Sequence, residues 1–253
     1  DRILHALRQS FVIEQREIYA TASMGIVMGS QAYGSATDLL RDADIAMYRA
    51  KANGKNGYAL FDPTLHDRVM AQLQIEHDLR RAIDQQQLAL YYQPIVSLKD
   101  GSITYVEALM RWHHPKRGMI SPGEFIPIAE ETGLIVTLDR WALTTACRQL
   151  RQWQQDFPLA RELRVSVNLS AQDLQAPNLI GDIRAALTQS GLEGRSLVIE
   201  MTESLLISDT QPVIQLMAQL RDLAVQLSVD DFGTGYSSLS YLHRFPLNAL
   251  KID

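Results

Sequence analysis

Residues 196–231, SLVIEMTESLLISDTQPVIQLMAQLRDLAVQLSVDD, alternate between strand-like and helix-like patterns. An apolar, β-branched run at 196–203 predicts a strand, and apolar side chains at helical spacing predict a helix at 209–224. A second strand is predicted at 226–231. Since a helix that joins two strands of one sheet makes them parallel, this stretch predicts a βαβ unit.

The same alternation extends to both sides of this unit. Further strands are predicted at 163–170 and 248–253, and further helices at 122–133, 135–155 and 178–191. The sequence therefore predicts an α/β chain with a largely parallel sheet. Both a closed barrel and an open doubly wound sheet fit this pattern.

Upstream of the alternating region, the pattern changes to a hairpin. Two strand-like runs, 88–98 and 103–112, flank the turn KDGS at 99–102 and predict an antiparallel pair.

Before the hairpin, the chain reads as part of a separate domain. We predict a strand at 18–29, a strand at 58–61 and a long amphipathic helix at 64–87. A further helix is predicted at 37–54, with Thr37 as its N-cap and Gly54 as its C-terminal stop. The domain boundary is expected within the long helix, between Asp62 and Ile75.

Composition narrows the functional classes. The 253 residues carry a net charge of −5, which does not favour binding of a nucleic-acid polymer. One cysteine, Cys147, excludes an internal disulfide and fits a reducing, cytoplasmic compartment. No apolar run approaches the ~20 residues that span a bilayer, so no membrane contact is expected within this chain. The sequence opens with DRILHALRQ and not with methionine, so we expect it to be part of a longer protein. An N-terminal region of that longer protein could anchor it in a membrane.

Polar side chains recur where the predicted strands end. They are Glu107, Asn168, Glu200, Asp230, Asp231 and Lys251. The carboxyl ends of parallel strands gather ligands, and carboxylate and amide oxygens suit a hard cation such as Mg²⁺, Mn²⁺ or Ca²⁺. Simpler interpretations exist for each residue: an acid that caps the next helix, a turn residue at Asp231, or a surface lysine at Lys251. The recurrence of oxygen donors across the set favours a metal site.

Three other polar residues have different expectations. His113 and His114 are neighbours in an extended segment and point to opposite sides, so we expect loop or surface positions for them. The guanidinium of Arg111 suits a phosphate, although a solvated arginine explains it almost as well.

These residues lie within motifs that carry a resemblance. The stretches YYQPIV (91–96), VEALMRW (106–112), SVNLSAQDL (166–174), VIEMTES (198–204), DDFGTGYSSLSYL (230–242) and LKID (250–253) resemble the EAL domain of bacterial cyclic-di-GMP phosphodiesterases over residues 75–253. Residues 20–27 and 38–61 are similar to the end of a GGDEF (diguanylate cyclase) domain.

The resemblance implies three segments. Residues 1–62 are expected to be the C-terminal part of a GGDEF domain that lacks its signature motif, residues 63–80 a helical linker, and residues 75–253 the EAL domain. No cyclase activity is expected, because the GGDEF signature is absent.

For fold and activity, the resemblance implies a TIM-like (β/α) barrel with one antiparallel strand. It also implies hydrolysis of cyclic di-GMP to linear pGpG with two Mg²⁺ or Mn²⁺ ions, weaker or no turnover with Ca²⁺, and a homodimer formed through the EAL domain. Residues 75–253 are shorter than the ~250 residues typical of a complete barrel, so we expect the barrel to be incomplete at its C-terminus.

The resemblance also assigns roles. Glu107, Asn168, Glu200 and Asp230 match the first metal site, and Asp231 matches a ligand of the second, with Asp230 between the two ions. Lys251 matches the lysine that hydrogen-bonds the attacking water, and Glu203 an acid that supports the loop beginning at Asp231. Glu107, Asp231, Glu203 and Lys251 are thus the expected catalytic residues. Gln93, Leu109 and Arg111 match positions that contact the dinucleotide, with Arg111 at a phosphate.

Two alternatives to hydrolysis remain. An EAL domain can retain the nucleotide as a receptor without cleaving it, and the complete set of matching residues favours catalysis over this. A glycosidase with paired carboxylates fits poorly with the asparagine, the lysine and the tandem aspartates.

Overall fold

The computed structural model describes residues 3, 11–13, 16–18, 21–28, 33–52, 56–176, 178–203, 210–233 and 245–252. The chain divides into two compact units, Asp1–Ile75 and Glu76–Asp253. Each is described by itself below.

The first unit contains two short strand pairs and a helix. Strands β1 (Phe11–Ile13) and β2 (Arg16–Ile18) are antiparallel, whereas β3 (Met24–Ile26) and β4 (Tyr58–Leu60) are parallel. Helix α1 (Ala36–Ala52) lies between β3 and β4 in the chain, and its Ala46 packs against Ile45 and Phe61. This is a parallel pair joined by a helix, as the alternation of patterns predicts.

Two predictions in this region need correction, and a third falls outside the described residues. The strand predicted at 18–29 is too long, since among the described residues of that range the strands cover only Ile18 and Met24–Ile26. The cap of α1 is Ser35 rather than Thr37, because the amide of Asp38 donates to Ser35 Oγ at 3.2 Å. Gly54 lies outside the described residues.

Helix α2 (Pro63–Ala82) ends five residues before its predicted end at residue 87. Gln86 adopts a left-handed backbone with φ 54°, and the amide of Gln87 donates to the carbonyl of Ala82. Gln87 is held by residues 112 and 113, since its carbonyl accepts from the amide of His113 and its side-chain Oε1 accepts from Trp112 Nε1. Hydrogen bonding of Gln87 to the hairpin therefore ends α2, and local helix propensity does not predict that end.

The second unit is built on one sheet. Its strands are β5 (Leu88–Val96), β6 (Ile103–His114), β7 (Gly118–Ile120), β8 (Arg164–Asn168), β9 (Leu197–Thr202), β10 (Gln226–Phe232) and β11 (Ala249–Ile252). The order is β11-β10-β9-β8-β6-β5, with β7 paired to β6. All neighbours are parallel except β5 and β7, which are antiparallel to β6.

This sheet confirms the predicted hairpin and the predicted α/β fold with an antiparallel strand, β5, next to β6. The sequence pattern did not predict the short strand β7. Among the described residues, the edge strands β5 and β11 do not pair with each other, so the ladder is open.

The helices of the second unit lie between its strands in the chain. They are α3 (Pro122–Thr132), α4 (Ile135–Asp156), α5 (Ala171–Gln175), α6 (Leu179–Ser190) and α7 (Thr210–Asp222). Helix α4 buries Ile135, Leu138, Ala142, Ala146 and Leu150, the three- and four-residue spacing of an amphipathic helix. In the described part of the chain, none of the helices has the length and apolar character needed to cross a membrane.

The register of the sheet decides which side chains share a face. On β6, Val106, Ala108, Met110 and Trp112 are buried, whereas Glu107, Leu109 and Arg111 alternate with them and point to the other face. Parallel pairing then places Ser166, Asn168, Glu200, Ser228 and Asp230 on the same face as Glu107. A slip of one residue would turn this whole set to the opposite face.

We predict that Gly194→Ala destabilises the second unit. A Cβ at Gly194 would lie 1.8 Å from the carbonyl oxygen of Leu223, so the backbone before β9 must move. Overpacking of this kind costs about 1–3 kcal/mol, which urea unfolding would measure. The control is Gly123→Ala in α3, where the nearest atom lies 3.8 Å from the added Cβ. Equal stability of the two variants would contradict the close packing at Gly194.

Candidate metal centre

Three carboxylates converge at the carboxyl end of the sheet. Glu107 on β6, Glu200 on β9 and Asp230 on β10 each place a carboxylate oxygen within 4.8 Å of the other two. We call these three residues the carboxylate cluster. Glu200 is buried, whereas Glu107 and Asp230 are partly exposed. They come from strands far apart in sequence, and only the register of the sheet brings them together.

Lys251 on β11 is the cation that contacts all three carboxylates. Its Nζ lies 2.9 Å from Glu107 Oε2, 2.7 Å from Glu200 Oε2 and 3.2 Å from Asp230 Oδ2. Burial acts to lower the pKa of Lys251, but its hydrogen bonds to Glu200 and Glu107 outweigh burial and raise the pKa above its ordinary value. Lys251 is therefore a protonated hydrogen-bond donor at neutral pH.

Two further features surround Glu200. Burial raises the pKa of the Glu200 carboxyl, and the hydrogen bond from Lys251 opposes that shift. Asn168, paired with Glu200 in the β8–β9 register, donates from Nδ2 to Glu107 Oε1 at 3.0 Å. This bond leaves the amide oxygen of Asn168 available as a ligand.

The tandem aspartates diverge in the structure. The β10–β11 pairing shifts register between Val229 and Phe232, and Asp231 adopts a left-handed backbone with φ 53°. Asp230 joins the carboxylate cluster, while Asp231 is exposed and lies outside it. A β-bulge changes the direction of the side chains beside it, so the side chains of Asp230 and Asp231 point in different directions.

Glu203 lies directly behind this bulge. Its carboxylate is buried, and Oε2 accepts from the amide of Gly233 at 2.8 Å. Gly233 has φ 105°, a conformation that favours glycine. The end of β10 is thus tied to the end of β9, while residues 234–244 lie outside the described residues.

The donor set fits a divalent cation. Three carboxylates and one ammonium leave a formal charge of −2 at the cluster, and the oxygens are hard ligands. Ser166 and Ser228 add buried hydroxyls on the same face. The Ser166 hydroxyl can rotate to donate to Glu200, which acts to lower the pKa of that carboxyl.

The expected nucleotide-contacting residues lie beside the cluster on β5 and β6. Gln93 is paired with Glu107, and Tyr91 with Leu109. Arg111 is half-buried, donates to the carbonyl of Met110 at 2.8 Å, and lies 5.6 Å from the centre of the Tyr91 ring. Arg111 is therefore oriented along the same face as Glu107.

His114 corrects a prediction. It was expected on a loop or surface, but it ends β6 and is buried. Its Nε2 lies 3.1 Å from Asp78 Oδ2, and its Nδ1 accepts from the amides of Lys116 and Arg117. These bonds shape the turn into β7. His113, the neighbour on β6, is exposed.

Sequence reasoning missed a buried acid pair beneath the loop after Asn168. Asp139 on α4 accepts from the amide of Ser170, and Asp173 accepts from Ser170 Oγ. Ser170 caps α5, since its Oγ accepts from the amide of Asp173. Burial, followed by the neighbouring Asp173 carboxyl, raises the pKa of Asp139 to about 9. The signal in the sequence is an aspartate inside the apolar stripe of α4.

This pair predicts a pH dependence. Since the folded-state pKa of Asp139 is raised from 3.8 to about 9, folding binds a proton between those values, and stability falls as pH rises through this window. Asp139→Asn keeps the shape and removes the ionisation. The variant should gain stability over the natural chain as pH increases, by at most about 1.4 kcal/mol per pH unit. Urea unfolding at pH 5 and pH 8 measures this, and a constant difference would contradict it.

Comparison with known proteins shows which families the chain matches. Residues 76–253 match the family model "EAL domain", and residues 1–57 match "Diguanylate cyclase, GGDEF domain". The chain is 41% identical over its whole length to "Bifunctional diguanylate cyclase/cyclic di-GMP phosphodiesterase MucR" of Pseudomonas aeruginosa, covering 37% of that protein. It is 39% identical to "Cyclic di-GMP phosphodiesterase PdeR" of Escherichia coli, covering 38% of it. The chain thus spans less than half the length of these relatives.

A solved structure agrees with the fold. "PaMucR Phosphodiesterase, c-di-GMP complex" superimposes with a TM-score of 0.68 at 46% identity, covering 71% of this chain and 72% of that one. With the family model matching well over half of the residues, the chain belongs to the EAL domain family, and its N-terminal segment matches the GGDEF family.

Proposed function

We propose that this chain hydrolyses one phosphodiester bond of cyclic di-GMP and releases linear pGpG. The observation that carries the proposal is the carboxylate cluster, with Lys251 and Asn168 hydrogen-bonded to it, at the carboxyl end of an EAL-type sheet. Relatives named as cyclic di-GMP phosphodiesterases and a neighbour solved with cyclic di-GMP support the choice of substrate.

Metal binding is assigned to the oxygen donors of this face together with Asp231, which directly follows Asp230 in the chain. Glu107, Asn168, Glu200 and Asp230 would hold one ion, and Asp231 with Asp230 would hold a second. Mg²⁺ or Mn²⁺ suits these hard ligands, whereas the larger Ca²⁺ would support little or no turnover. When bound, such ions polarise the phosphate and lower the pKa of an attacking water.

The remaining roles follow from contacts of the protein. Protonated Lys251 donates hydrogen bonds at the centre of the cluster, so it can orient the attacking water or a phosphate oxygen and does not act as the base. The planar guanidinium of Arg111 suits a substrate phosphate, and Gln93 and Leu109 line the same face. Glu203 positions the end of β10 through Gly233.

The test is product formation. The 253-residue chain, and any longer natural protein that contains it, would be incubated with cyclic di-GMP and Mg²⁺ or Mn²⁺, and pGpG followed by chromatography. Product that appears only with the divalent ion supports the proposal. Binding of the dinucleotide by both proteins without product would favour the receptor alternative.

Three further expectations, on the domain boundary, the oligomeric state and the location, are proposals as well. We propose a domain boundary between residues 62 and 75, with residues 63–80 as a helical linker to the EAL domain. We propose a homodimer formed through the EAL domain, which sedimentation analysis would test. A cytoplasmic location fits the single buried Cys147.

A further inference from the structure

A cavity of about 450 Å³ opens near the amino ends of β8 and β9. Its lining includes four arginines and two glutamates: Arg151, Arg161, Arg164, Arg195, Glu162 and Glu193. We call it the arginine cavity. Arg164 is the first residue of β8, whereas Asn168 is the last, so the cavity lies ~13 Å along the strand from the metal centre. It is a separate site from the carboxylate cluster.

The charge of the arginine cavity is unbalanced. Four guanidiniums face two carboxylates, a formal excess of +2 in a chain whose net charge is −5. Arg195 pairs with Glu193 at 2.5 Å. Within the described ranges, no carboxylate lies within salt-bridge distance of Arg151, Arg161 or Arg164. Three arginines that line one concave space and form no ion pair among the described residues favour an anionic ligand.

Part of the lining is already held in place. Arg164 NH1 donates to Gln226 Oε1 at 3.0 Å and also to Tyr105 Oη, and the guanidinium lies 5.1 Å from the centre of the Tyr105 ring. Gln154 Nε2 donates to the carbonyl of Leu163 and to the buried Ser196 Oγ. These contacts occupy NH1 of Arg164 and hold its guanidinium in one orientation. A preorganised guanidinium loses less entropy on binding.

The side chains that line the cavity limit the chemical class of its ligand. Guanidinium groups match phosphate oxygens in a bidentate geometry. The volume falls within the range of small-molecule sites and exceeds what a single phosphate fills. Glu162 and Gln155 offer acceptors at the same cavity, which suit hydroxyl or amino donors of an organic group. We propose that the arginine cavity binds a small phosphate ester that carries hydroxyl groups, of the class of nucleoside polyphosphates and sugar bisphosphates.

Titration calorimetry on the 253-residue chain would test this in HEPES buffer freed of divalent ions by a chelating resin. The probes are ATP, fructose 1,6-bisphosphate and inorganic pyrophosphate. The test variant is Arg151→Gln with Arg161→Gln. The matched control is Arg148→Gln with Arg184→Gln, since these arginines are exposed, lie outside the cavity and give the same change in charge.

We expect the natural chain and the control to bind one equivalent of at least one of the two esters, and the test variant to bind about tenfold or more weakly for each arginine lost. The ester that binds identifies a nucleoside or a sugar source. Arg161→Gln alone, at an exposed position, repeats the test if the double variant does not fold. Three results would overturn the proposal: no binding of either ester, equal loss in test and control variants, or pyrophosphate binding as tightly as the esters.

Discussion

Glu107→Gln should reduce pGpG formation by about 100-fold or more, although it replaces a single oxygen with an amide nitrogen. Glu107 Oε2 accepts from Lys251, and Oε1 accepts from Asn168 Nδ2. An amide at this position lowers the negative charge of the cluster by one and presents a donor where a cation would bind. Since changes in the partners of metal ligands already cost 10–100-fold, loss of a ligand should cost at least as much. Initial rates at saturating Mg²⁺ or Mn²⁺ measure the effect.

The matched control for this prediction is Asp222→Asn. Asp222 is exposed at the end of α7, before the amino end of β10, so its substitution makes the same carboxylate-to-amide change away from the cluster. Unfolding curves should show that both variants remain folded. If Glu107→Gln turns over cyclic di-GMP at the rate of the control, Glu107 is not a metal ligand and the assignment of the site fails.

Much of the EAL-type sheet was predictable, because its strands are short apolar runs that end in polar residues. β8, β9, β10 and β11 each begin and end within two residues of their predicted bounds. The alternation along β6 also predicts that Glu107 and Arg111 share a face. By contrast, the three-residue strand β7 and the early end of α2 depend on pairing with β6, which a local pattern does not contain.

The candidate site also has parts that the sequence predicts and parts that it does not. Residues at strand ends could be predicted, since parallel strands place their carboxyl ends together. The separation of Asp231 from Asp230 could not, because it results from the register shift between β10 and β11. Nor could the pairing of Asp139 with Asp173, since α4 must first pack near the loop after β8. An acid in an apolar helical stripe indicates a buried partner but does not identify it.

Lys251→Met should affect both stability and turnover, and divalent ions should distinguish the two effects. Lys251 is the cation that contacts all three carboxylates, so its loss leaves like charges within 4.8 Å of one another. Breaking a buried ion pair costs 3–5 kcal/mol. Because the Lys251 side chain is 28% exposed, we expect about 1–3 kcal/mol at neutral pH in the absence of metal. Urea unfolding in metal-free buffer measures this loss.

The pH and metal dependence of this variant separate a site lysine from a surface lysine. The raised pKa of Lys251 means that its stabilisation is fully present below its unfolded-state pKa and is lost as pH rises through the higher folded-state pKa. In the methionine variant, acid that protonates the carboxylates should reduce the deficit, and Mg²⁺ or Mn²⁺ should stabilise the variant more than the natural chain. Turnover at saturating metal should still fall by about 10²–10⁴-fold, because no ammonium orients the water. Unchanged stability and unchanged turnover would show that Lys251 is only a surface residue at the edge of the sheet.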